Sequence, residues 1–277
     1  TVTGVQTCAL PISTGTLIVG SNSALGASSS GTTIADGAVL SMSAGLTAMT
    51  EPLTVSGTGI GGGGVIVNAS GNNTVTGAVT LAAASTITSN SGTLTLDVSS
   101  GNAIAGNYAL TVTGSGNVTI SDPVATGATV VTKEGSGTLT MTGTSTYSGG
   151  TVVNGGTVSI SGDRGLGAVP GSATVDSLTL NGGTLASTAT FTMSANRGIT
   201  LGASHGTIDV ASGTTLTFTL AGLASGQPYT LQFTTWPGLK LGSFKTSATV
   251  AVGYTQGQSN VATVTVADLT KPGSTEA

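Results

Sequence analysis

The feature that most constrains this chain is a short strand motif that keeps returning. Gly-Thr leading into a brief aliphatic run occurs as G-T-L-I-V at Gly15, G-T-L-T-L at Gly92, G-T-L-T-M at Gly137, G-T-V-S-I at Gly156, G-T-L-A-S at Gly183 and G-T-I-D-V at Gly206. The last three steps are 19, 27 and 23 residues, a loose period of about one solenoid coil. Within the strands the alternation is strict. Leu139 and Met141 are flanked by Thr138, Thr140 and Thr142, and Val158 and Ile160 alternate with Thr157, Ser159 and Ser161. The pairs Leu178 and Leu180, Phe191 and Met193, and Ile208 and Val210 follow the same rule, as does the run Leu216, Phe218, Leu220. A period of two with one apolar side describes a strand half-buried against a core, with hydroxyl side chains outward. Thr suits the outer row because its branched Cβ fits a pleated strand.

Composition removes the competing classes. Thr, Gly and Ser number 53, 45 and 33 of 277 residues, and their backbone preferences disfavour helix. Disorder needs low hydrophobicity and high charge, whereas 38% of this chain is hydrophobic and 6% charged. Gly has no three-residue period, which excludes collagen. The formal net charge is −4 and no Lys or Arg precedes Lys133, so a nucleic-acid partner is not expected. No apolar run approaches the ~18 residues of a membrane-spanning helix. Two all-β architectures remain, a sandwich and a β-helix. The coil-length repeat, the few aromatic residues (3%) and the aliphatic inward positions favour the β-helix, whose narrow interior stacks aliphatics coil on coil. About 200 residues at ~20–25 per coil predict roughly nine coils and a rod about 40–45 Å long.

The first twelve residues differ from the rest. Val2 to Ile12, V-T-G-V-Q-T-C-A-L-P-I, look like an in-frame translation of a short-read sequencing adapter, with all eleven residues matching. On that reading Cys8, the sole cysteine, is foreign to the protein. The chain is then a fragment recovered from an assembled environmental read. The other reading is an apolar lead-in strand.

Lys133 to Ile160 reads K-E-G-S-G-T-L-T-M-T-G-T-S-T-Y-S-G-G-T-V-V-N-G-G-T-V-S-I. It closely resembles the autotransporter-associated β-strand repeat, also called the passenger-associated transport repeat. The usual form of that repeat is K-x-G-x-G-T-L-x-L-x-G-x-N-T-Y-x-G-G-T-x-V-x-x-G-T-L. The chain departs at Ser145, where Asn is usual, and at Met141 and Val158, where Leu is usual. Flanking segments agree in style, among them E-P-L-T-V-S-G-T-G at Glu51, S-G-N-N-T at Ser70 and S-L-T-L-N-G-G-T-L at Ser177, so the resemblance covers roughly residues 13–213. It implies a right-handed parallel β-helix, exported to the extracellular space or the outer-membrane surface of a Gram-negative-type bacterium. The resemblance says little about activity; together with the scattered acidic residues, it leads to the expectation of a non-catalytic stalk or adhesive scaffold, with surface glycans or other cell-surface components as partners and no cofactor. The fragment itself is expected to be monomeric.

After Gly213 the composition changes. Six of the nine aromatic residues lie between Phe218 and Tyr254, with Lys240 and Lys245 among them. An open solenoid end exposes core and strand edges, so residues 214–266 are expected to form a small β module that caps the helix, with 267–277 a polar tail. The other reading is continued coils. Tyr229, Trp236 and Tyr254 are the candidate ligand contacts, because sugars are held on aromatic faces beside polar groups. Trp236 precedes Pro237 in a turn-like T-T-W-P-G-L; the bland reading makes these rings the core of the cap. Along the helix the aromatic residues on offer are Tyr108, Tyr147 and Phe191, with Phe191 on the core side.

Catalysis finds little support. Glycan-cleaving β-helices need clustered carboxylates, and no two acidic residues here lie within seven positions. Asp97 and Asp122, 25 apart, are the best pair that coil stacking could join. Ser204, His205 and Asp209 form a nominal triad, but G-A-S-H-G-T reads as a turn and His205 as a surface residue. One His and no usable Cys exclude a zinc site. Asp163 and Arg164 are expected to make a local turn contact, and Arg197 to be a solvated loop charge. A glycan-binding or glycan-cleaving module is the alternative. Repeated Thr-x-Thr, as at Thr93–Thr95 and Thr138–Thr140, adds a third reading, an ice-binding solenoid, against which stands the expectation that uneven coils break a regular array.

Overall fold

The computed structural model describes residues 11–26, 28–43, 45–211, 214–221 and 261–267. Each coil is a triangle whose sides stack on the coils before and after. The first face holds β1 (Pro11–Ile12), β3 (Thr32–Ile34), β5 (Leu53–Gly57), the start of β8 (Val79–Ser89), β10 (Ile104–Gly106) and β13 (Val124–Ala125). The second face holds β2 (Gly15–Val19), β4 (Ala38–Met42), β6 (Ile66–Asn68), the end of β8, β11 (Leu110–Thr113), β14 (Val131–Lys133), β16 (Thr151–Val153), β18 (Thr174–Leu180) and β21 (Arg197–Leu201). The third face holds β7 (Asn73–Val75), β9 (Thr93–Leu96), β12 (Asn117–Ile120), β15 (Thr138–Met141), β17 (Thr157–Ile160), β19 (Thr184–Ser187) and β22 (Thr207–Val210). Strand β8 turns the corner between the first two faces and so joins them into one sheet. All pairing on these faces is parallel, which rules out the antiparallel sandwich. Nine coils at ~4.8 Å per strand give a rod of about 40 Å.

The alternation seen in the sequence puts aliphatics inside. Coil by coil, Val75, Leu96, Ile120, Met141 and Ile160 form one buried ladder of the third face. Leu139, Met141, Val158, Ile160, Leu178 and Leu180 are all buried, as expected, while Ile208 and Val210 are half-buried in the last coils. Burying each such side chain stabilises the fold by about 1.5–3 kcal/mol. Turns must be tight enough for neighbouring coils to touch. A Cβ on Gly137 would lie 1.9 Å from the Gly116 carbonyl oxygen, so this corner admits only glycine.

At the C-terminal end, β20 (Phe191–Thr192) pairs in parallel with β23 (Thr215–Ala221) in a separate three-stranded sheet. The other edge of β23 pairs antiparallel with β24 (Val261–Ala267). An edge occupied in this way no longer templates further strands. Phe191 packs half-buried against the core, on the side its alternation assigns. At the other end, residues 1–10 of the adapter-like segment, Cys8 included, lie outside the described residues, and Pro11 and Ile12 pair with Thr33 and Ile34. Among the described residues no helix is long and apolar enough to cross a membrane.

Candidate functional site

Among the described residues, the strands of the third face pair without a register shift. On the outer side of this face the middle row runs Thr74, Thr95, Thr119, Thr140, Ser159, Ala186, Asp209, one residue per coil. Two residues towards the N-terminal end of each strand stands a second row, Thr138, Thr157, Thr184, Thr207. Coil lengths differ, since Val131 pairs with Thr151, a step of 20, and Thr151 with Leu178, a step of 27. The excess goes into corners and into the other faces, where the register slips between Val55 and Gly57 and between Thr174 and Leu178. The third face keeps its register throughout, which corrects the expectation that uneven coils break the Thr array. A margin row ties its hydroxyls inward, with Thr142 donating to the Ser121 carbonyl at 3.2 Å and Thr188 to the Ile160 carbonyl at 3.1 Å.

The residues singled out for chemistry are not gathered by the fold. Tyr229, Trp236 and Tyr254 lie outside the described residues. Asp97 and Asp122 do come to adjacent coils, but Asp122 Oδ2 accepts the Val98 amide at 2.8 Å and so serves as a turn acceptor. Asp97 borders a shallow cleft of about 440 Å³ with Ser28, Thr50, Thr76, Val98 and Ser99, one carboxylate among hydroxyls. His205 is exposed, with φ at 60°, in a turn closed by its amide on the Gly202 carbonyl at 2.9 Å. The Ser204 amide donates to Asn181 Oδ1 at 3.0 Å, and Asp209 stands on the third face, so the nominal triad is not assembled. Among the described residues no three metal-ligating side chains cluster.

Three buried polar groups instead organise the coils around 131–197. Arg197, expected in solvent, is 6% exposed and grips the loop before β18. Its Nε donates to Asp163 Oδ1 at 2.8 Å, its Nη1 to the Leu166 carbonyl at 2.8 Å, and its Nη2 to the carbonyls of Gly167 and Ala168 at 3.2 and 3.1 Å. Asp163 therefore pairs across 34 residues and not with Arg164, whose side chain is exposed. The correction has a physical cause: a planar five-donor fork satisfies several loop carbonyls at once, which offsets its burial. Tyr147 is 1% exposed and so is not available to a ligand; its hydroxyl shares a 2.7 Å hydrogen bond with Thr151 Oγ1. The backbone around it takes over the first face where β13 ends, with the Thr146 amide on the Val124 carbonyl at 2.9 Å. Burial pushes the Tyr147 hydroxyl up to about 12, against the opposing effects of Thr151 and Arg197.

Lys133 was visible in the sequence as the first residue of the repeat, but not as a core residue. Its stem sits in the second-face ladder Ile87, Val112, Lys133, Val153, Leu180, and it is 2% exposed. The ammonium caps turn carbonyls of Glu134 and, at 3.1 Å, of Gly135. Burial lowers its pKa to about 8, partly offset by the Glu134 charge. Alternation held the signal, since V-V-T-K places Lys133 on the same side as Val131. Glu51 is buried as well. Its Oε1 accepts the Thr32 hydroxyl at 3.2 Å, while Oε2 has no partner among the described residues.

Compared with known families, residues 131–160 match the passenger-associated-transport-repeat. The matched segment begins at β14, ends with β17, and contains both Lys133 and Tyr147. No curated protein and no solved structure matches the chain.

Proposed function

We propose that the chain is a non-catalytic stalk or adhesive segment of a β-helical passenger displayed on, or released from, a bacterial surface. The observation that carries this reading is a passenger-associated transport repeat embedded in an unbroken parallel solenoid. Such a rod is a stiff spacer that holds a binding region away from a cell, and its stability is the sum of coil-on-coil interfaces. The reading makes Tyr229, Trp236 and Tyr254 the contacts for surface glycans. The chain, joined to an export signal and a translocator barrel in Gram-negative cells, should reach the outer surface and be removed from intact cells by added protease. Folded protein retained inside the cell envelope would overturn the passenger reading. On a glycan array the parent chain should bind and Trp236→Ala should lose binding with its melting temperature unchanged. Release of reducing ends or unsaturated sugars from polysaccharides would overturn the non-catalytic part.

A further inference from the structure

We propose that the outer side of the third face is a binding surface for ice. This goes beyond the stalk reading and does not depend on it. A periodic row of side chains recognises a partner that repeats at the same spacing. Thr74, Thr95, Thr119 and Thr140 repeat across the strands at ~4.8 Å; on two of these strands a second Thr stands ~6.6 Å along, Thr93 beside Thr95 and Thr138 beside Thr140, while Asn117 holds that place on the strand between them. A partner engaging the whole row must itself repeat at that spacing, as a crystal face does and a single flexible chain does not. Each Thr offers a hydroxyl that both donates and accepts, beside a methyl group that water cannot hydrogen-bond. Water oxygens in a tetrahedral network lie ~2.75 Å apart, which places second neighbours ~4.5 Å apart. The mismatch with the strand spacing is ~0.3 Å per row and accumulates to only about 1 Å over a four-strand block.

The charge pattern narrows the partner further. The middle row carries no charged residue from Thr74 to Ala186, and the second row none from Thr138 to Thr207, which suits an uncharged lattice. Neither row carries an aromatic ring, the group that would grip the flat faces of crystalline polysaccharide. Ser159 continues the middle row although it is only 9% exposed, and among the described residues its hydroxyl has no protein partner. The hydroxyls of Thr95, Thr119 and Thr140 likewise have none among the described residues, whereas those of the margin row are bound to carbonyls. The array is thus left with its polar groups pointing at whatever lies on the face.

The test is thermal hysteresis and crystal shaping of the purified chain, with partition into a growing ice hemisphere as a second readout. The parent should shape ice and partition into it. Thr119→Tyr, in the middle of the block, and Thr119→Val, which removes only the hydroxyl, should both lose most of the hysteresis. Thr179→Tyr on the second face should retain it. Circular dichroism and the melting temperature verify that each variant is folded. A parent chain that leaves ice unshaped and is excluded from it overturns the proposal, as does a folded Thr119→Tyr with parental hysteresis or an equal loss in Thr179→Tyr. Binding to crystalline cellulose or chitin without ice activity also overturns it. These readings need no cell, so they fail or succeed independently of surface display.

Discussion

At the residue scale two buried groups, Lys133 and Tyr147, make opposite demands on alkaline pH. Lys133 has its pKa lowered from 10.5 to about 8 in the fold, first by burial, so between those values the unfolded chain binds more protons and stability rises with pH. Lys133→Met keeps the stem in the ladder and should abolish that rise, read as the melting temperature of parent and variant from pH 7 to 10. In a chain of this size each kcal/mol shifts the midpoint by about 2–4 °C. Tyr147 acts in the reverse sense. Its pKa is raised from 10.0 to about 12, so its stabilisation is complete below pH 10 and is lost as pH climbs to 12. Tyr147→Phe should cost about 1 kcal/mol at neutral pH, through the lost bond to Thr151, and should flatten the decline above pH 10. Neighbours on one strand test the assigned sides. Leu180 is fully buried, so Leu180→Asp should cost about 3–5 kcal/mol in urea unfolding. Thr179→Ser on the outer side should stay within about 0.5 kcal/mol.

At the element scale the weak points of a solenoid are its long corners, because a strand with partners on both edges is already held. The corner between β17 and β18 is the longest near the repeat, and Arg197 secures it from the next coil. Arg197→Ala should cost about 3–5 kcal/mol, since it strands the Asp163 carboxylate and several carbonyls. Its first sign should be proteolysis within 161–173, with the strands still protected. Arg197→Lys should rescue little, because a single ammonium cannot serve carbonyls spread over three consecutive residues.

At the scale of the whole molecule, irregular coil lengths coexist with one face whose pairing keeps its register from β7 to β22. Slips and insertions are absorbed at the corners and in the other two faces. Small-angle scattering of the chain should therefore give a rod, with the described coils contributing about 40 Å of length. A distance distribution that a coil stack of that length cannot fit would contradict the stacking.

The sequence by itself determined the class of fold and the sidedness of each strand, because both are written locally. A period of two assigns Leu139, Met141, Val158 and Ile160 to the interior without knowledge of any neighbour, and the glycines of G-S-G-T-L mark where coils must touch. Even the burial of Lys133 was implicit in that alternation, masked by the rule that charges lie outside. What the tertiary structure alone decided was the register between coils. With steps as different as 19 and 27 residues, no local pattern says that Thr95 stands beside Thr119, or that Arg197 reaches Asp163 across 34 residues. Those contacts are set by the requirement that every backbone amide find a carbonyl on the coil beneath it. That requirement fixes the faces first and leaves the loops to take up the difference.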